Sequence, residues 1–319
     1  MLTGCTACFG EDRLPSVPEL RQCAPQVVAA PARLLDRLRR ETSVRASRSG
    51  GWRRGLIQRW VAANPPGPLL RALVGRPIAN GLGLGACRAV MTGYERMAPI
   101  TARFLGRLGI ATQGLYAVAE AGGPVGSFAQ ADTPALQVFD AFRPSVTPQG
   151  QLAVTVAGAV IDTGDLVTLD GGQLHLVGRA ADLLTLPDGR QIAPSVIEAE
   201  IGASPYVNQA VAIGGPASGV TALIELDEVT LRDWAHEHGL AFTTLRSFAE
   251  SSEVVRLIEQ ARSEANQRLE AKHPAAQVRR VVLLPRALEV ANGELTPSLA
   301  VRRAIVRNRY AHRLVPAVS

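Results

Sequence analysis

The sequence predicts an α/β protein in which crossover strands and helices lead into a short β-barrel-like segment, followed by a smaller α+β C-terminal domain. Three textures carry this expectation. Up to residue 122, apolar strand-like runs each feed a helical pattern; from 123 to 182 short strands alternate with turn residues; from 183 to 319 helices and strands mix again. With 319 residues, 47% of them hydrophobic and 19% charged, the chain can bury a large core and is long enough for more than one domain.

In the first part, PQVVAA (25–30) reads as a buried strand, and ARLLDRLRRE after it places Leu34, Leu35 and Leu38 at helical spacing. NGLGLGAC (80–87) lacks the lysine and hydroxyl residue of a phosphate loop and precedes a strand, so it reads as a turn. CRAVMTG is the next strand, APITARFLGRLG a helix closed by Gly109, and IATQGLY another strand; crossover helices between them make the strands parallel. In the second part, LQVFDAF, QLAVTV, DLVTL and QLHLVG read as strands, the last two joined across Asp170, Gly171 and Gly172. In the third, PSVIEAEIG is helical, VNQAVAIGG and TALIELD are strands, LRDWAHEHG and SSEVVRLIEQARSEANQRLEAK are helices and VRRVVLLP is a strand. SLAVRRAIVRNRYAHRL is expected to be a basic helix.

Charge and cysteine usage narrow the function. The net charge of +6 is concentrated between residues 31 and 60, where nine arginines face only Asp36 and Glu41. With Trp52 and Trp60 interleaved, that stretch reads either as a solvated arginine-rich helical hairpin or as a surface for an anionic membrane; no motif that reads a specific nucleic acid accompanies it. All other basic side chains being arginine, Lys272 is the one lysine. Cys5, Cys8, Cys23 and Cys87 are too few for a disulfide scaffold and lack the spacing of a zinc site, so reduced thiols are expected. His236 and His238 project apart on a helix, and GxSxG and HExxH are absent, which leaves hydrolase and metalloprotease chemistry without residues. No run of eighteen apolar residues occurs, and acids and prolines occupy the first thirty positions, so a cytoplasmic, at most membrane-peripheral, location is expected.

The stretch 163–215 resembles the long-chain acyl-CoA synthetases of the AMP-forming, adenylate-forming ligase superfamily. TGDL, a short hairpin, GRxxD, a glycine loop and IxPxxIE occur here in that family's order. Downstream, GELTPSLAVRR (293–303) is similar to the family's C-terminal catalytic loop; upstream, YAVAE (116–120) sits where the family has YGLTE, and residues 14–38 are similar to the segment after its phosphate loop. The resemblance implies ATP and AMP, Mg²⁺ and CoA as ligands. It makes Tyr116, Asp165 and Arg179 nucleotide contacts, Asp165 through the ribose hydroxyls; Glu120 becomes a metal ligand and Asp182 the hinge of a mobile C-terminal domain. Read from the residues alone, Asp165 caps a turn, Arg179 pairs with a nearby carboxylate and Asp182 ends a strand.

The sequence departs from the family on the nucleotide side. No counterpart of the phosphate loop precedes the matched part, which makes the first part a remnant of the large domain and implies a complementary N-terminal half from elsewhere. Tyr94 and Glu95 stand where small residues would admit the purine, Ala119 replaces a threonine, AGAVID (157–162) compresses a longer loop, and Ala300 occupies the position of the lysine that bridges carboxylate and α-phosphate. Loss of one such preorganised group typically costs about 3–4 kcal/mol, roughly 10²- to 10³-fold in rate. Two readings follow: a truncated ligase that does not catalyse autonomously, or a pseudoenzyme that binds an acyl group, CoA or a partner.

Overall fold

The computed structural model describes residues 4, 6–10, 15–47, 55–57, 59–60, 66–93, 97–128, 130, 133–215, 219–240, 244–271, 273–296 and 299–314. The chain divides into two compact units, residues 1–117 with 127–133, and residues 118–126 with 134–319. Tyr94, Glu95, Trp52 and Lys272 lie outside the described residues.

In the first unit, α1 (Val17–Cys23) starts on a capping box in which the Glu19 amide donates to Ser16 Oγ and the Ser16 amide donates to the Glu19 carboxylate at 2.6 Å. Three strands follow the expected runs: β1 (Val27–Ala29), β2 (Ala89–Gly93) and β3 (Ala111–Val118), paired in parallel with Val28 opposite Val90 and Val90 opposite Thr112. Their crossovers include α2 (Ala32–Ser47), α3 (Arg76–Gly81) and α4 (Pro99–Leu108). Proline opens α4 where its missing N–H costs nothing, and Gly109 at φ 84° ends it. Leu34, Leu35 and Leu38 pack with Val28, Val90 and Leu105 in one core cluster. Within the expected turn, Gly83 at φ 76° lies so close to α1 that a Cβ would come within 2.5 Å of the Arg21 amide nitrogen.

Within the arginine-rich stretch 31–60, part of which lies outside the described residues, three large side chains turn inward. Arg39, Arg40 and Trp60 are buried, with 5%, 2% and 2% of their surface exposed. Asp36 explains why two guanidinium groups tolerate this: Thr101 donates to its carboxylate, and Arg39 Nε donates to Thr101 Oγ1 at 3.0 Å, tying α2 to α4. Burial pushes the Asp36 carboxyl up against the pull of Thr101 and the nearby arginines, and burial brings Arg39 down to about 10.

The second unit opens with β4 (Gly123–Phe128), which runs into the first unit at its end. The antiparallel strands β5 (Ala135–Val138), β6 (Ser145–Val146), β7 (Gln151–Val156), β8 (Ala159–Asp170) and β9 (Gln173–Arg179) are ordered β5-β9-β8-β7-β6. LQVFDAF is strand only to Val138; its end is a single 3₁₀ turn, 140–142. Gly171 and Gly172, at φ 56° and 82°, form the expected two-residue connection, and Ala157 and Gly158, at φ 50° and 85°, do the same between β7 and β8. The AGAVID segment is therefore a tight turn and the start of a twelve-residue strand.

Past 182, the short pair β10 (Leu184–Thr185) and β11 (Gln191–Ile192) precedes α5 (Pro194–Ile201). A three-stranded sheet then forms from β12 (Val207–Gly215), β13 (Gly219–Leu226) and β14 (Val278–Leu283), β12 antiparallel and β14 parallel to β13. Between β13 and β14 run α6 (Glu228–Glu237), α7 (Leu245–Glu250) and α8 (Ser252–Glu270). Alternation sends Ala212, Ala222 and Ile224 into a core with Ile197, Phe248 and Ile258, while Val211, Ile213 and Leu223 face a second core with Leu295, Val306 and Tyr310. That second core is closed by α9 (Arg303–Arg309) and α10 (Ala311–Leu314). The terminal helix thus begins at Arg303 and not at Ser298: the antiparallel bridge between Leu295 and Val301 closes a loop ahead of it.

Candidate functional site

The TGD sequence sits within β8, at an irregularity between Leu166 and Val167 where the ladder to β9 shifts register. Thr163 sets the local geometry: its hydroxyl donates to the Leu152 carbonyl at 2.7 Å and accepts the Asp165 amide at 3.2 Å. Gly164, at φ 70°, donates its amide to the Asp162 carboxylate at 2.9 Å, which completes the turn. Asp165 then lies directly opposite Arg179 on β9, and the two form an ion pair at 3.4 Å. Asp165 is largely covered, with 14% of its side chain exposed, whereas Arg179 is open at 68%. The structure therefore joins the two residues expected to contact a nucleotide, and it does so by the carboxylate pairing that the residues alone suggested. Asp182 follows on the 3₁₀ turn 180–182, half-buried, at the entry to β10.

Tyr116 belongs to the first unit; it is buried near the end of β3 with its ring edge-to-face against Phe128, centroids 6.4 Å apart. Glu120 is exposed on the 3₁₀ turn 119–121. Among the described residues no group of three His, Cys, Asp or Glu side chains is placed to hold a metal ion, so Glu120 fits Mg²⁺ only where phosphate oxygens supply the other ligands.

The GELTPSLAVRR stretch is a closed loop. The Arg302 amide donates to the Glu294 carbonyl at 2.8 Å, the Thr296 amide to the Ala300 carbonyl at 2.8 Å, and the Ala300 amide to Thr296 Oγ1 at 3.0 Å. Leu299 adopts φ 68° and packs against the second core, while Ala300 is exposed beside it. Neither adjacent arginine supplies a compact cation at that point. Arg303 is bound to Glu198 at 2.6 Å and donates to the Ala212 carbonyl at 2.7 Å; Arg302 is exposed, with the planar, forked geometry of a guanidinium.

Sequence reasoning missed what holds this loop. Glu294 is fully buried and accepts Arg286 Nη2 and Nη1 at 2.8 and 2.9 Å, Arg309 Nη1 at 3.2 Å and the Glu289 amide at 3.1 Å. Burial alone would raise its pKa, but Arg286, the Glu289 amide and the charge of Arg309 hold the carboxyl below the usual range. Glu198 likewise accepts the Ala212 amide at 2.8 Å as well as Arg303. Neither acid stands out in the sequence: the partners of Glu294 lie 5 to 15 residues away, and Arg303 lies 105 residues from Glu198.

The chain is 26% identical over 344 residues to a long-chain-fatty-acid–CoA ligase, FadD15, of Mycobacterium bovis, covering 96% of this chain and 57% of that relative. It is 27% identical over 348 residues to FadD15 of Mycobacterium tuberculosis, again 96% of this chain and 57% of that relative. No family model matches. In fold, the adenylation domain of a carboxylate reductase from Mycobacterium chelonae superposes with a TM-score of 0.66 at 17% identity, over 93% of this chain and 47% of that one. The adenylation and carrier didomain of a carboxylic acid reductase from Segniliparus rugosus, solved with AMP, gives 0.64 at 17% identity, over 94% of this chain and 42% of that one. The chain thus spans little more than half the length of the curated relatives it matches.

Proposed function

We propose, from the premise that this chain is a relative of the AMP-forming, adenylate-forming acyl-CoA ligases, that it carries nucleotide-contacting and C-terminal elements of a long-chain acyl-CoA ligase and does not adenylate an acyl group by itself. Adenylation would join a fatty carboxylate oxygen to the α-phosphorus of ATP with pyrophosphate leaving, so two anions must meet beside a fixed cation. In this reading Asp165 accepts from the ribose hydroxyls, Arg179, already aligned by that carboxylate, contacts the nucleotide, and Asp182 is the hinge. Tyr116 and Glu120 would serve as nucleotide contact and metal ligand, with Mg²⁺ supplying charge neutralisation between the phosphates. CoA would be the acceptor of the acyl group.

One observation carries the reading: the exposed loop position expected to present a lysine presents Ala300, and Arg303 behind it is engaged by Glu198 and Ala212. The test is pyrophosphate release by the full chain with ATP, Mg²⁺ and palmitate. None is expected from wild type, and none from Ala300→Lys alone; release by either would show a competent adenylation site. Thermal stability with and without ATP and Mg²⁺ separates a nucleotide-binding chain from a purely acyl-, CoA- or partner-binding one.

A second polypeptide segment completing the ligase is favoured by a separate observation. The strands β1 to β3 pair in parallel, an arrangement ordinarily covered on both faces, yet Val27 and Met91 on the face away from the core are 51% and 37% exposed. Co-purification with a segment matching the rest of the relatives' length would support completion; pyrophosphate release unchanged by such a segment would refute it.

A further inference from the structure

Away from the nucleotide-contact and Ala300-loop residues, the described residues contain one thiol pair. Cys8 and Cys23 line the same pocket, of about 310 Å³, together with Phe9, Leu20, Val27 and Ala29. Cys8 is exposed and Cys23, at the C-terminal end of α1, is half-buried. They are close enough to interact: hydrogen bonding with the Cys8 thiol, and then desolvation, hold the Cys23 thiol above its ordinary value. Cys87 differs in place and partner, being buried with its Sγ donating to the Ala89 carbonyl at 3.3 Å.

We propose that Cys8 and Cys23 form a redox-active dithiol that closes to a disulfide through exchange with a low-molecular-weight disulfide such as oxidised glutathione. The exposed Cys8 thiolate attacks one glutathione sulfur, forming a mixed disulfide and releasing one glutathione thiolate. The Cys23 thiolate then attacks the Cys8 sulfur; the Cys8–glutathione bond breaks, the Cys8–Cys23 bond forms and a second glutathione thiolate leaves. Two protein thiols are oxidised, one glutathione disulfide is reduced, and the two protons end on the released glutathiones. Closure ties the segment containing Phe9, which is 92% exposed, to α1 beside β1, next to Val27 and Ala29 on the open sheet face.

The test is titration of the full reduced chain against oxidised and reduced glutathione, followed by rapid alkylation, non-reducing digestion and mass spectrometry. A Cys8–Cys23 linked peptide lighter by two hydrogens is expected, with Cys87 alkylated only after unfolding. Cys23→Ser should stop at a glutathione adduct on Cys8, and Cys5→Ser should leave the link intact. A wild-type chain that accumulates the Cys8 adduct without closing, or one whose link requires Cys5, overturns the proposal. All these outcomes are independent of ATP chemistry, so a failure here is distinct from a failure of the ligase reading.

Discussion

Arg286→Ala will destabilise the C-terminal part of the second unit more than Arg309→Ala, although both remove one arginine from the same carboxylate. Arg286 meets Glu294 through two bonds of 2.8 and 2.9 Å, Arg309 through one of 3.2 Å. Removing one partner of a buried pair costs about 3–5 kcal/mol, because the remaining charge stays desolvated. Glu294 is fully buried, but the side chains of Arg286 and Arg309 are 38% and 40% exposed, so solvent already screens part of each interaction. The discounted cost is about 2–3 kcal/mol for Arg286→Ala and about 1 kcal/mol for Arg309→Ala. Glu294→Gln leaves no buried charge and lets both arginines turn to water, so it should cost about 1–2 kcal/mol, less than Arg286→Ala. Since the chain has two units, a single melting temperature is a blunt measure; hydrogen exchange of the β12 to β14 amides reads the affected part directly. Acid supplies the sign. The Glu294 carboxyl is held below its unfolded value, so its contribution is complete above the ordinary glutamate range and is lost as pH falls through the lower folded value. The gap between wild type and Glu294→Gln should therefore narrow on acidification. Equal losses for the two arginine variants, or losses under about 0.5 kcal/mol for both, would refute the reasoning.

Three further outcomes follow from other sites. Gly83→Ala should destabilise the first unit by about 2–4 kcal/mol, measured by exchange of the β1 and β2 amides, since a Cβ at φ 76° would meet α1 backbone at 2.5 and 2.6 Å. Arg179→Ala should leave stability within about 0.5 kcal/mol, because the arginine is 68% exposed, while weakening any ATP-dependent stabilisation; a large loss of stability would make the pair structural. Phe248→Ala, at a side chain with no exposed surface, should cost about 3–5 kcal/mol and raise exchange throughout the core it shares with Ile197 and Ile258.

Local chemistry was legible wherever it determined the backbone. The Gly109 helix stop, the Gly171-Gly172 hairpin and the Leu34, Leu35, Leu38 spacing all act within a few residues, and the structure shows each in place. The charge of Arg179 predicts pairing with a nearby carboxylate, and the structure supplies Asp165 as that partner. What escaped the sequence depends on residues far apart along the chain. Arg39 and Arg40 read as surface charge because nothing local shows Thr101 arriving from α4 to bind Asp36. Nothing local to Arg303 shows that Glu198, 105 residues earlier, binds it. The start of the terminal helix differs for a related reason: SLAVRR has helical periodicity, but the Leu295–Val301 bridge and the Thr296–Ala300 bonds engage Ala300 and Val301.

The Ala300 loop has one more property of practical value. Its shape is set by backbone bonds to Thr296 and Glu294 and by the packing of Leu299, and the exposed methyl group of Ala300 takes no part in them. The position is therefore a socket whose contents can be exchanged while the scaffold stays fixed. On a chain whose Cys5, Cys8 and Cys23 are replaced by serine, a cysteine placed there can be aminoethylated to deliver an ammonium of nearly lysine length, or S-propylated to a neutral thioether of matched size, so that charge and bulk are varied separately on one scaffold.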